Sequence, residues 1–243
     1  EKSQGDSERQ SACRKKIRVS TEHLLSLVND VLQVSKLESG RLAAVEEPFD
    51  LHVLLENCIE MLSPLAEERN IRLELEDSGL RHGGAIGNPL HLKQILMNVI
   101  DNAIRYNRPH GSVFIRAEET GFQEGTATCR FVIEDTGIGI GEDFKAHIFE
   151  PFTQENQDAR TNYNGVGLGM SIVKKLVDQM KGTVKIKSRP GKGSVVQITL
   201  PVRVDEARSG EPAGKAWSVP DNIAGMRVLL VEDNEINCEI VEY

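Results

Sequence analysis

Apolar residues near the start of the chain recur at the spacing of a helix. Within residues 14–38, Leu24, Val28 and Val31 follow one another at intervals of four and three residues, which predicts an amphipathic helix. Gly40 follows this stretch and is a typical helix end. Residues 1–13 are polar and show no periodicity, so we expect a disordered or frayed N-terminus.

Helical and alternating patterns then succeed one another between residues 45 and 201. Asp50 and Asn88 each precede an apolar periodic stretch and are typical N-caps. Further helices are predicted near 142–149 and up to about residue 180. Strands are predicted at 71–76, at 112–119, at 127–135 and in a hairpin over 182–201 with a Pro-Gly turn. The pattern predicts an α+β fold, a two-layer α/β sandwich with helices on one face of a single sheet.

The end of the chain has a different pattern. Residues 202–225 lack periodicity and contain Gly, Pro and Ser, which is typical of a linker. Residues 226–243 combine an apolar strand, an acidic pair and a helix start. So short a segment cannot bury a core, so we expect the beginning of an incomplete domain. The chain starts with Glu1 rather than Met, and we expect an excerpt of a longer protein.

Composition narrows the classes of protein that fit. Of 243 residues, 39% are hydrophobic, which is enough to build a core. The formal net charge of -8 argues against a nucleic-acid partner bound mainly through phosphates. The four cysteines lie far apart without metal-ligand spacing, which favours reduced thiols. No apolar run reaches the roughly 20 residues of a membrane span. We expect a cytoplasmic location. This location would also suit the cytoplasmic part of a membrane-anchored sensor.

Two asparagines interrupt the apolar helix in "MNVIDNAIRYN". Asn98 and Asn102 are four residues apart and therefore share one helix face, with Arg105 and Tyr106 one turn further on. An amide oxygen is a suitable neutral ligand for Mg²⁺, and Arg105 could meet a phosphate. The alternative is a pair of exposed polar residues on an amphipathic helix.

A carboxylate followed by glycines ends a predicted strand in "EDTGIGIG". Asp135 could accept a hydrogen bond from an exocyclic amine such as that of adenine, and Gly137, Gly139 and Gly141 could let the base approach the backbone. An ordinary turn after a strand explains the same residue types. The local pattern leaves both interpretations open.

Two further stretches complete the set. Phe149 and Phe152 flank a proline in "HIFEPFTQ", and ordinary core packing is the favoured local explanation. The stretch "NGVGLGM" places three glycines before a helix, which suits either a tight turn or a phosphate at a helix N-terminus. The polar segment before it could be a mobile lid in which Arg160 reaches a phosphate.

The order of these four stretches resembles the catalytic ATP-binding domain of sensor histidine kinases, a group related to DNA gyrase, mismatch-repair and heat-shock-chaperone ATPases. The resemblance covers residues 45–201 and implies a mixed sheet layered against helices, with Mg²⁺ and ATP held under a lid. It implies that Asp135 binds the adenine amine, Tyr106 the ribose or base, and Asn98 and Asn102 the Mg²⁺-phosphate region. The other implied nucleotide contacts are Arg105, Gly137, Gly139, Arg160, Gly165, Val166, Gly167, Leu168 and Gly169.

The flanking segments resemble parts of the same family. Residues 14–44 resemble the second helix of the kinase dimerisation domain, which implies a homodimer in the full protein. The stretch "RVLLVEDNEIN" resembles the start of a receiver domain, in which Glu232 and Asp233 would help to hold Mg²⁺. This order is that of a hybrid sensor kinase in a two-component phosphorelay, with the receiver acting in cis or in trans.

The chain departs from the family at several positions. None of the six histidines has the sequence context of the family's phosphoacceptor; His23 lies on the segment that resembles the second dimerisation helix, so an exposed or packing role is favoured. We therefore expect no autophosphorylation by this chain alone. Arg105 replaces a usual lysine, Asn88 a usual aspartate and Val166 a frequent threonine, and we expect ATP binding to survive all three changes.

Three functions fit the motifs. The leading interpretation is transfer of the γ-phosphate of ATP to a histidine that is absent from this sequence. An alternative is an ATP-hydrolysing conformational switch of the gyrase or chaperone type. Those relatives have a glutamate where this chain has Asn98, and an amide cannot act as a general base. The third is a non-catalytic nucleotide-binding module.

Overall fold

A computed structural model describes residues 46–76, 78–155 and 167–206, together with positions 13, 14, 17 and 21. Several predictions therefore fall outside the described residues: most of the N-terminal helix, Arg160, Gly165, Val166, the linker beyond residue 206, and the receiver-like segment with Glu232 and Asp233. Among the described residues, no helix is long and apolar enough to cross a membrane.

Helices and strands alternate along the described part of the chain. In order, they are β1 (Glu47–Asp50), α1 (Leu51–Glu68), β2 (Arg72–Leu75), β3 (Gly84–Gly87), α2 (Pro89–Arg105), β4 (Ser112–Gln123), β5 (Thr126–Asp135), α3 (Glu142–Lys145), α4 (Gly169–Gln179), β6 (Thr183–Arg189) and β7 (Gly193–Val204).

The described strands form one mixed sheet in the order β1-β3-β7-β5-β4-β2, and β6 pairs with β7. Strands β2 and β4 are parallel, whereas the other pairs are antiparallel. One face of β5 is buried through Cys129, Phe131 and Ile133, which pack with apolar residues of α1, α2 and α4. The opposite face carries ion pairs such as Arg116–Glu134. The predicted two-layer α+β sandwich is confirmed.

Both predicted helix caps are confirmed. The carboxylate of Asp50 accepts hydrogen bonds from the N–H groups of His52 at 2.7 Å and Val53 at 3.1 Å. The side-chain oxygen of Asn88 accepts one from the N–H of His91 at 3.1 Å. Each bond satisfies an N–H that has no partner within its helix, so the starts of α1 and α2 are fixed by these two side chains.

The ordered sheet is more extensive than the sequence predicts. Strand β7 continues to Val204, three residues past the predicted boundary at 201 and into the predicted linker, because Val202 and Val204 keep the apolar alternation and are buried. The short strands β1 and β3 were not predicted. Strands β4 and β5 extend towards each other until only Glu124 and Gly125 separate them, both with positive φ. Helix α3 is shorter than the predicted 142–149 helix.

Candidate functional site

The carboxylate of Asp135 is held at the last position of β5. Its Oδ1 accepts hydrogen bonds from the N–H of Gly137 at 2.8 Å and from the N–H of Ser194 at 3.2 Å. Burial raises the pKa of Asp135 above its ordinary value, although these two N–H groups oppose the shift. The carboxylate therefore has a fixed direction while it keeps capacity to accept a further hydrogen bond.

The glycine loop after Asp135 is packed closely against neighbouring backbone. A Cβ added to Gly137 would lie 2.4 Å from the carbonyl oxygen of Tyr106, and one added to Gly139 would lie 2.0 Å from that of Arg189. Gly139 also has a φ of +72°, which disfavours other residues. The N–H of Ile138 donates to the Tyr106 oxygen at 3.1 Å. Close packing thus explains these glycines, and this is compatible with a base-binding role for Asp135.

Asn98 and Asn102 both face the start of α4. From the position of a Cβ on Gly169, the first residue of α4, Oδ1 of Asn98 is 3.6 Å away and Nδ2 of Asn102 is 3.8 Å away. The Nδ2 atom of Asn98 is buried and has no hydrogen-bond partner among the described residues. The alternative of two exposed polar residues therefore does not fit Asn98, and the two amides border a helix N-terminus.

The start of α4 has the properties of an anion site. Leu168 occupies its N-cap position and provides no side-chain hydrogen bond to the first turn, whereas α1 and α2 are both capped by side chains. Helix N-termini carry N–H groups without intrahelical partners and a partial positive charge. A phosphate placed beside Gly169 would pair with these N–H groups and with the partial charge, and the side-chain oxygen of Asn98 borders the same position.

Arg105 and Tyr106 lie where α2 ends. The Nε of Arg105 donates to Oδ2 of Asp101 at 2.6 Å, so the guanidinium is anchored to its own helix. Tyr106 is half-buried and is connected through its carbonyl to Ile138 in the glycine loop. The two residues are one turn beyond Asn102, and their predicted contacts with phosphate and with ribose or base remain predictions.

The "FEPF" stretch contacts Gly167, which lies two residues before the start of α4. The N–H of Phe152 donates to the carbonyl oxygen of Gly167 at 3.0 Å, and a Cβ on Gly167 would lie 2.5 Å from the carbonyl oxygen of Thr153. Phe149 is half-buried, but Phe152 is 66% exposed and has a φ of +64°. The core-packing interpretation is therefore wrong for Phe152. This contact joins the segments on either side of residues 156–166.

Residues 87–204 match the family described as "Histidine kinase-, DNA gyrase B-, and HSP90-like ATPase". This span starts at β3 and ends at the last residue of β7, so it includes Asp135 and both asparagines. This part of the chain is a domain of that ATPase family. The resemblance predicted from the four sequence stretches is confirmed.

Relatives of this ATPase domain are sensor kinases. The chain is 35% identical over 230 residues to the autoinducer 2 sensor kinase/phosphatase LuxQ of Vibrio parahaemolyticus, covering 93% of this chain and 27% of LuxQ. It is 35% identical to the circadian input-output histidine kinase CikA of Synechococcus elongatus, covering 96% of this chain and 30% of CikA. The chain therefore spans less than a third of either relative. Its ATPase domain is the ATP-binding catalytic part of sensor histidine kinases.

Solved structures give the same result. The crystal structure of full-length ShkA in complex with AMPPNP superimposes with a TM-score of 0.65 and 33% identity, over 77% of this chain and 38% of ShkA. AMPPNP is a non-hydrolysable analogue of ATP. ATP binding is therefore supported for the domain both by its family and by a ligand of a structural relative.

Two features of the ATPase domain's site could not be predicted from the sequence. Ser194 donates its N–H to Asp135, and Gly193 before it has a φ of +83° and lies so close to Asp135 that a Cβ would be 1.9 Å from its carbonyl oxygen. Asn107, two residues after the end of α2, is buried. For the contact between Ser194 and Asp135, the glycine pair in "GKGS" was the only signal in the sequence. For Asn107 the sequence contains no such signal, because a single polar residue has no recognisable pattern.

Proposed function

We propose that this domain binds Mg²⁺ and ATP and transfers the γ-phosphate to a histidine on a dimerisation segment outside the described residues. The observation that carries the proposal is the position of Asn98, whose amide lies beside Gly169 at the start of α4. A phosphate in this position would contact the N-terminus of α4 on one side and the two asparagines of α2 on the other.

The base and the Mg²⁺-phosphate region of the nucleotide each have a matching group. The carboxylate of Asp135 can accept a hydrogen bond from the adenine amine, since its direction is fixed by Gly137 and Ser194. The amide oxygen of Asn102, with Asn98 beside it, can serve as a neutral hard ligand for Mg²⁺. When bound, Mg²⁺ would neutralise charge on the phosphates. These residues hold the nucleotide in place, and an attacking imidazole would supply its own nucleophilic nitrogen.

The absence of a carboxylate at position 98 favours transfer over hydrolysis. A hydrolytic switch needs a base that activates water beside the phosphates, and the amide of Asn98 cannot accept that proton. Catalysis would then consist mainly of positioning and charge neutralisation. We expect slow release of inorganic phosphate when no acceptor histidine is present.

The same proposal covers the parts of the protein that flank the domain. We propose a homodimer formed through a dimerisation segment that includes residues 14–44, and a receiver domain beginning near residue 226, in which Glu232 and Asp233 help to bind Mg²⁺. The receiver would accept the phosphoryl group from the histidine in cis or in trans. The location proposed for this portion of the protein is the cytoplasm, without a nucleic-acid partner.

A reconstitution experiment tests the transfer. The 243-residue chain is mixed with γ-labelled ATP, Mg²⁺ and a separate fragment that carries the first dimerisation helix and its histidine. We expect acid-labile label on the fragment, little label on the chain alone, and loss of labelling with Asp135→Ala but not with Glu134→Gln. Label on His23 of the chain alone would contradict the assignment. Rapid phosphate release without transfer would support the hydrolytic switch instead.

A further inference from the structure

Asn107 is buried at the junction of two loops that border the site. Only 6% of its surface is exposed. Its Nδ2 donates to the carbonyl oxygen of Ser112 at 3.0 Å, and its Oδ1 accepts from the N–H of Arg108 at 2.9 Å and from the hydroxyl of Thr136 at 3.3 Å. One carboxamide therefore connects the loop after α2, the start of β4 and the loop after β5.

Thr136 links this carboxamide to Asp135, its neighbour in the chain. The Thr136 hydroxyl also accepts a hydrogen bond from the N–H of Ser112 at 2.9 Å, and the N–H of Thr136 donates to the Ser112 carbonyl at 3.1 Å. A Cβ on Gly111 would lie 2.1 Å from Oδ1 of Asn107, so the surrounding backbone fits closely around the amide. Thr136 consequently has little freedom to rotate, and neither has the backbone that carries the Asp135 side chain.

We propose that Asn107 is a positioning residue for recognition of the nucleotide base. It acts through Thr136, whose fixed position sets the direction in which the Asp135 carboxylate points. The inference rests on the proposed function, in which Asp135 accepts a hydrogen bond from the adenine amine. Asn107 itself does not contact the nucleotide in this arrangement.

The chemistry of an amide suits this role. An amide both donates and accepts, so it satisfies the Ser112 carbonyl and the Thr136 hydroxyl at the same time. An aspartate would lose the donor and add a second buried negative charge close to Asp135, and a serine would be too short to reach both partners. Satisfied buried polar networks of this kind specify one arrangement of the groups that they join.

The test compares two nucleotides that differ where Asp135 is proposed to bind. Inosine triphosphate has an oxygen at the position of the adenine amine. Calorimetric titration of the 243-residue chain should give tighter binding of ATP than of inosine triphosphate. We expect Asn107→Ala to weaken ATP binding about five- to tenfold, with a much smaller effect on inosine triphosphate. Thr136→Val should act in the same direction, whereas Thr136→Ser keeps the hydroxyl and should bind ATP as the unmodified chain does.

A double substitution distinguishes the proposed positioning role from a structural role alone. Asn107→Ala in an Asp135→Ala background should cause no further loss of affinity, because both changes disable the same contact. Val202→Ala, eight positions along β7 from Ser194, is the control for general loss of stability and should leave both affinities unchanged.

Three outcomes would overturn the inference: equal weakening of the binding of both nucleotides, additivity of the affinity losses with Asp135→Ala, or no discrimination between the nucleotides by the unmodified chain. If Asn107→Ala does not fold, the Thr136→Val and Thr136→Ser pair decides. Failure of the unmodified chain to bind either nucleotide would instead refute the proposed function.

Discussion

The carboxylate of Asp135 accepts a hydrogen bond from the backbone N–H of Ser194 at 3.2 Å, which joins the end of β5 to the start of β7. The two residues are 59 positions apart and face each other in the register of the two strands. Together with the N–H of Gly137, this contact helps to direct the carboxylate through hydrogen bonds from the backbone. The acceptor role of Asp135 can therefore be tested by changing only the chemistry of its side chain.

Replacement of Asp135 by alanine should weaken ATP binding strongly. A hydrogen bond to a charged group contributes about 1.5–3 kcal/mol, which corresponds to a roughly 10- to 150-fold higher Kd. Titration calorimetry measures this directly. Glu134→Gln is the matched control, because Glu134 is the preceding residue and pairs with Arg116 on the opposite face of the sheet. Similar losses in the two variants would refute a specific role for Asp135.

The predictable and unpredictable parts of the molecule differ in the range of the contacts that define them. Helices α1 and α2 could be predicted because Asp50 and Asn88 cap them locally. The four-residue strand β3, "GAIG", could not, because it becomes a strand only by pairing with β1 and β7. Neither could the role of Asn107. Its partners Ser112 and Thr136 are 5 and 29 residues away, and nothing in the local pattern indicates them.

The same distinction applies within the site. Asp135 and the asparagines of α2 were predicted as site residues from short stretches, since each lies on a recognisable element. The exposure of Phe152 was not predicted, because phenylalanine is among the residue types that are most often buried. Its contact with Gly167 joins residues that are far apart in the sequence, and no periodicity encodes such a contact.

Asp135 should lower the stability of the nucleotide-free protein at neutral pH. Because burial raises its pKa, the folded state binds a proton on this carboxyl more readily than the unfolded state does. Its contribution to stability is therefore greatest below the unfolded pKa and is lost as the pH rises through the folded pKa. We expect Asp135→Asn to be at least as stable as the unmodified protein at pH 7, and this advantage to shrink as the medium is acidified.

Urea denaturation across this pH range, without nucleotide, measures the difference in the free energy of unfolding between the two proteins. Glu60→Gln, at an exposed position of α1, serves as the control and should not reproduce the pH dependence. An advantage of Asp135→Asn that grows on acidification would have the wrong sign, and would mean that the Gly137 and Ser194 donors outweigh the effect of burial.

A comparison of two glycines with nearly equal φ distinguishes the cost of backbone strain from the cost of a steric conflict. Gly125 has a φ of +73° and no atom within 4 Å of an added Cβ, whereas Gly139 has a φ of +72° and a carbonyl oxygen of Arg189 at 2.0 Å. Gly125→Ala should cost about 1 kcal/mol from the left-handed conformation. Gly139→Ala should cost about 3 kcal/mol, because the loop must also move away from Arg189.

Chemical denaturation gives both free energies of unfolding, and ATP titration gives a second readout. Gly139→Ala should weaken ATP binding because it displaces the loop that follows Asp135, while Gly125→Ala, in the turn between β4 and β5, should not. Equal destabilisation by the two substitutions would show that the loop yields without resistance and does not position Asp135.

Asn98 should lower the stability of the nucleotide-free protein although it contributes to phosphate transfer. Its buried Nδ2 has no partner among the described residues, and an unsatisfied buried polar group costs about 1–3 kcal/mol. Asn98→Ala should therefore leave the free energy of unfolding unchanged or raise it, while it reduces transfer of phosphate to the histidine fragment. Asn88→Ala, on the same helix, removes a satisfied cap and should cost about 1 kcal/mol with little effect on transfer. Urea denaturation and the labelling assay should thus rank the two variants in opposite orders. If Asn98→Ala destabilised the protein as much as Asn88→Ala does, the Asn98 amide would have a partner in the folded protein. The proposal that this amide contacts a bound phosphate would then have to be abandoned.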